Sequence, residues 1–193
     1  MGETERIAQH IASLEYSSIP LKLHEEMKIL LFDWLGVALG GTKTDSGRIA
    51  AEFSREMGDK GEATIIGFGY RVSAPGAAFA NAILSHSIEL DDVDLLAYFH
   101  FSPPIYSAAL AMAERGHSSG KDLLVALVAG CDLMARLSAA MNPSLRDRGF
   151  HTTPTCGVFG AAAACAKLLH LDAARVTNAL GLAASESLVI RFR

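Results

Sequence analysis

Apolar positions recur at helical spacing through nearly the whole chain. From Thr4 to Leu14 they fall at Ile7, Ile11 and Leu14, one face of a helix. Pro20 opens a second run, carried by Leu23, Met27, Leu30, Leu31, Trp34 and Val37 as far as Gly40-Gly41. Proline suits a first helical turn, where the amide it lacks would have no partner. Asp45-Ser46 can cap a third helix through Met57. The stretch "ATIIGFG" (63–69) is short, β-branched and glycine-bounded, the one strand-like segment, and a helix over 74–88 follows it. Pro103-Pro104 starts a helix to Arg115, and Ser118-Ser119-Gly120 precedes another over 121–141. Residues 142–152 read as a loop, Pro154 begins an Ala-rich helix to Leu169, and Asp172 caps a last helix to Leu188. No solenoid period, low-complexity tract or linker interrupts this order. The expected class is all-α, with at most a minor β-hairpin.

The chain's 193 residues suit one domain, or one and a fraction, with a sizeable core. Half of them are apolar and the mean hydropathy is +0.26, which implies apolar surface covered by another chain or a further segment. A net charge of −4 without a Lys/Arg cluster argues against a nucleic-acid partner. Cys131, Cys156 and Cys165 lie in apolar segments without a C-x-x-C pair, the pattern of buried free thiols in a reducing compartment. The first residues lack the apolar core of a signal peptide. The longest apolar run, Leu123 to Cys131, is under half the roughly 20 residues of a membrane span. A cytoplasmic location without a membrane partner is expected.

The chemistry concentrates in two places. In "SHSIELDDVDLLAYFHFSPP" (85–104), Glu89, Asp91, Asp92 and Asp94 crowd between His86 and His100 with no Lys or Arg. The apolar, aromatic run around His100 implies an enclosed imidazole, and carboxylates near such a ring suit a general acid or an anion binder. His86 and Glu89 stand i, i+3 apart, but a carboxylate-bridged metal site needs Glu-x-x-His twice, so no metal is expected. Downstream, "RDRGFHTTPTCG" gathers Arg146, Arg148, His151, Thr152 and Thr153 before a helix start, donors that fit a small carboxylate. Each cluster also has a plain reading as a solvated loop. "GFG" (67–69) reads as a turn, Gly157 and Gly160 as small residues that let helices approach, and His10, His24, His117 and His170 as surface or cap residues.

The ordered segments "FDWLGVALGG", "NAILSHSIELDD", "AALAMAE", "AGCDLMARL", "RGFHTTPTCGVFGAAAACAKLLHLD" and "NALGLAAS" together resemble the MmgE/PrpD family. That family includes 2-methylcitrate dehydratase, cis-aconitate decarboxylase and iminodisuccinate epimerase. The resemblance implies a large helical domain joined to a smaller lid, and 1–193 would be the N-terminal portion of the helical domain, with the lid and a C-terminal return outside it. It also implies chemistry on a small polycarboxylate without metal or organic cofactor, and a homodimer. The family's H-x-x-D-F-D-D-T signature is matched by His86, Glu89, Leu90, Asp91 and Asp92, and its two following histidines by His100 and His151. Glu89 and Val93 depart from the usual aspartate and threonine, "FSPP" replaces the proline after His100, and "ESLVIRFR" departs from the family's continuation.

The expected function is therefore lyase-type (dehydratase or decarboxylase) or epimerase chemistry: proton transfer at the carbon alpha to a carboxylate. His100 and His151 are the acid/base candidates, Glu89 and Asp92 would orient an imidazole, and Arg148, Thr152 and His86 would bind substrate. The rivals are a non-catalytic truncated remnant or helical dimerisation module, which folds and dimerises but turns nothing over, and an interaction module whose acidic loop binds a basic partner.

Overall fold

In the computed structural model, which describes residues 2–58, 60–96 and 98–187, helices begin where side chains can close their free amides. Thr44 Oγ1 accepts from Gly47 N at 3.0 Å and opens α3 (Asp45–Glu56), so the cap is Thr44 where Asp45-Ser46 was expected. Ser73 caps α4 (Ala74–His86), and Asp172 caps α9 (Ala173–Glu186) through Arg175 N. At α6 (Gly120–Met141), Ser119 and Asp122 exchange bonds: Asp122 N donates to Ser119 Oγ at 3.2 Å, and Ser119 N donates to Asp122 Oδ2 at 3.0 Å.

With α1 (Glu3–Ser13), α2 (Leu21–Gly41), α5 (Ser102–Gly116), α7 (Ser144–Asp147) and α8 (Thr152–Leu168), nine α-helices and a two-stranded hairpin lie among the described residues. A 3₁₀ turn at Tyr16–Ser18 links α1 to α2. The all-α expectation holds. The hairpin pairs β1 (Ala63–Thr64) with β2 (Arg71–Val72) antiparallel, and "GFG" forms its turn, with Gly67 and Gly69 at φ 78° and 72°. Buried Asn81 on α4 pins it: Ile66 N donates to Asn81 Oδ1 and Asn81 Nδ2 donates to Thr64 O, both at 2.9 Å.

The start of α8 and the placement of His24 depart from the sequence expectation. Helix α8 starts at Thr152, two residues before Pro154, and the expected loop over 142–152 contains the single turn α7. His24, expected at the surface, is buried and stacks on Tyr16 at 3.9 Å between ring centroids. The last helix is described to Glu186, and the expected end at Leu188 lies outside the described residues.

The core is centred on α6 and α8, with α5 against both. Ile105 on α5 is fully buried and lies against the Gly130 and Gly160 backbones of α6 and α8. A second apolar cluster joins α1 and α9 to this pair through Ala8, Ile11, Ala163, Val176 and Leu180. Lys167 of α8 donates to the carbonyls of Ala12 (3.0 Å) and Leu14 (2.7 Å) at the end of α1. Helix α6 is long and apolar enough to cross a membrane by length and composition alone. Over half of its apolar window is buried within the domain, a placement that accounts for that composition.

Candidate functional site

The last residue of α4 is His86, and the chain then runs through an irregular loop to α5. Left-handed residues Glu89 (φ 52°) and Tyr98 (φ 55°) turn this loop, and Asp94 N donates to Phe99 O across it at 2.9 Å. The turning sends neighbouring carboxylates to different tasks. Asp92 faces the start of α5, where Phe101 N donates to its Oδ2 at 2.8 Å and Ser102 N to its Oδ1 at 3.0 Å. No side chain of α5's own cap does this work. Both Asp92 oxygens are thereby occupied by backbone.

Asp91 points the other way, and its side chain is fully buried. Its Oδ2 lies 2.8 Å from Nδ1 of His86, a hydrogen bond, and 3.1 Å from Nδ1 of His100. The second approach has ion-pair distance but poor direction, so His100 Nδ1 makes no hydrogen bond. Asp91 Oδ1 is buried without a hydrogen-bond partner among the described residues. The two imidazole rings stand 5.0 Å apart at 66° above this carboxylate. Glu89, also expected to orient an imidazole, is exposed, with Oε1 3.8 Å from His86 Nε2. Asp91, absent from the expected site residues, therefore makes the carboxylate–imidazole contact foreseen for Glu89 and Asp92.

The second cluster adjoins the first through one bond: His100 N donates to Thr153 Oγ1 in the first turn of α8 at 3.1 Å. His151 stands at the N-cap of that helix, where its carbonyl accepts from Thr155 Oγ1 at 2.8 Å. Thr152 is buried and within 3.3 Å of the Asn142 side-chain amide. Exposed His151 lines a cleft of about 380 Å³ with Thr152, Phe150, Arg146 and Tyr98. The Arg146 guanidinium sits 4.2 Å above the Tyr98 ring. Arg148, the expected anchor, is exposed and does not line this cleft.

Electrostatically, the site has two sides. A buried carboxylate underlies the His86–His100 pair, and the adjoining cleft carries a guanidinium and the positive end of α8. Burial pushes the Cys131 thiol far up, with the Asp92 charge adding to this. Burial likewise pushes the Tyr106 phenol up. His86, Asp91 and His100 also form the one group of potential metal-binding side chains among the described residues, with atoms within 4.8 Å of one another. These residue types could ligate a cation. The 2.8 Å His86–Asp91 contact, however, is already satisfied by direct N–H···O bonding, which an ion would have to displace.

The family model described as the MmgE/PrpD N-terminal domain matches residues 5–191. The chain is 32% identical over 192 residues to the cis-aconitate decarboxylase-like protein oryM of Aspergillus oryzae, covering 95% of this chain and 40% of that protein. It is 30% identical over 190 residues to cis-aconitate decarboxylase of Homo sapiens, covering 95% and 39%. For the cis-aconitate decarboxylase of Aspergillus terreus the identity is 27% over 192 residues, covering 96% and 39%. The chain thus spans about two fifths of the length of the curated relatives it matches.

Proposed function

Because the chain belongs to the MmgE/PrpD family, a family of dehydratase and decarboxylase type, we propose that it forms the histidine wall of a site for a small polycarboxylate. The reaction is proton transfer at the carbon alpha to a carboxylate, leading to decarboxylation, elimination or epimerisation, with the side chains themselves as acid and base. The observation that carries this is the contact from His100 N to Thr153, which joins the carboxylate-backed imidazoles to the cationic cleft. A substrate carboxylate held by Arg146 and the α8 N-terminus would have its charge offset while His151 or His100 exchanges a proton. Without such cations, the developing carbanion beside a carboxylate is too costly.

Histidine NMR with citrate tests this. The expected result is that His100 and His151 shift together while His10 and His170 stay in place. Movement confined to His10 and His170 would remove the shared site.

A homodimer is part of the proposal, supported by exposed Ile29, Phe32 and Leu39, which recur along α2. A dilution-stable monomer in sizing experiments would end that part. The dimerisation-only alternative draws on the same surface and predicts no histidine response to citrate. A cytoplasmic setting is supported by the three free cysteines.

A further inference from the structure

The Asp91 side chain is fully buried, and one of its oxygens meets an imidazole. An ionised carboxylate can only accept hydrogen bonds. With Asp91 ionised, the His86 Nδ1 atom at 2.8 Å from its Oδ2 is the one placed to carry the proton, which leaves the lone pair of a neutral ring on Nε2. An imidazole without such a partner favours the opposite tautomer, with the proton on Nε2. His100 presents the same atom, Nδ1, to the same oxygen at 3.1 Å, but in a direction that makes no hydrogen bond.

We propose that Asp91 is the positioning residue of this site: its buried carboxylate holds His86 as the Nδ1–H tautomer, so that this neutral imidazole keeps its lone pair on Nε2. What these imidazoles act on rests on the function proposed above, but the tautomer does not. Glu89 cannot take this role, being exposed and 3.8 Å from the opposite nitrogen of His86. Asp92 cannot either, since both its oxygens accept backbone amides of α5.

Long-range ¹H–¹⁵N correlation spectra identify the protonated ring nitrogen of each histidine and need no substrate. They are recorded on the ¹⁵N-labelled chain at a pH above the titration of the rings. The expected wild-type result is His86 protonated at Nδ1, with exposed His117 and His170 protonated at Nε2. In Asp91→Ala, shown folded by circular dichroism, the His86 proton should move to Nε2. A wild-type His86 protonated at Nε2 overturns the proposal, whether or not the variant folds. So does a folded Asp91→Ala in which His86 keeps its Nδ1 proton, because Asp91 is then not the cause. If citrate leaves every histidine unmoved while the Nδ1–H tautomer is present, the functional proposal fails and the role of Asp91 stands.

Discussion

Gly130 of α6 and Gly160 of α8 meet backbone to backbone: a Cβ on Gly130 would lie 2.7 Å from the Gly160 carbonyl oxygen and 2.8 Å from Ile105. Neither a carbonyl in a helix nor a fully buried isoleucine can give way by the required amount. Gly130→Ala is therefore expected to destabilise the chain by about 1–3 kcal/mol, even though alanine is the better helix former. Urea unfolding of the two proteins checks this. A variant as stable as wild type would show that α6 and α8 are not locked at this crossing.

A second prediction separates capping from catalysis at Asp92. Its two oxygens receive the Phe101 and Ser102 amides, which begin α5 immediately after His100. Asp92→Ala should cost about 0.5–2 kcal/mol, the usual range for a lost helix cap. Asp92→Asn, which keeps one acceptor, should cost less. Thermal unfolding of the pair checks the order. Equal stability of both variants with wild type would mean that α5 starts without this carboxylate.

Acid should weaken the fold through Glu62 and Asp122. The backbone amide of Ala74 bonded to Glu62, with Arg115 nearby, holds that carboxyl below its ordinary 4.5. The Ser119 hydroxyl and amide hold Asp122 below 3.8. A group whose folded value is depressed binds fewer protons folded than unfolded, so its contribution is complete above the unfolded value. That contribution falls away as pH drops through the folded value. The urea midpoint should therefore hold at neutral pH and decline from about pH 5 downwards. In Ser119→Ala part of that decline should vanish, because Asp122 loses the partner that lowers it. A slope unchanged by the substitution would rule out this cap as its source.

What could be read from the sequence is what repeats. Helical periodicity located α2, α5 and α6, and the spacing of Gly157 and Gly160 marked the face on which α8 packs closely. The acidic loop has no period. Asp91 and Asp92 are adjacent, yet one turns inward to two imidazoles and the other to the start of α5. That division follows from a loop turned by left-handed residues at Glu89 and Tyr98, neither of which is a glycine to give warning. His24 was equally hidden, since its burial depends on stacking against Tyr16 from a 3₁₀ turn with no sequence signature of its own.

The same limit decides between Arg146 and Arg148, and the final prediction rests on it. The single turn α7 rotates the chain so that Arg146 lies over Tyr98 within the cleft and Arg148 lies outside it. A hydrogen bond from a charged group contributes about 1.5–3 kcal/mol. Arg146→Ala should therefore weaken citrate binding by roughly one to two orders of magnitude. Arg146→Lys should recover only part of this, because an ammonium keeps the charge but loses the planar fork and the stacking on Tyr98. Tyr98→Leu should show the same partial loss, since the ring holds the guanidinium in place. Arg148→Ala should bind as wild type does. Titration calorimetry or histidine NMR on the four variants checks this order. If Arg148→Ala loses binding and Arg146→Ala does not, the anchor lies outside the cleft and His151 faces no bound carboxylate there.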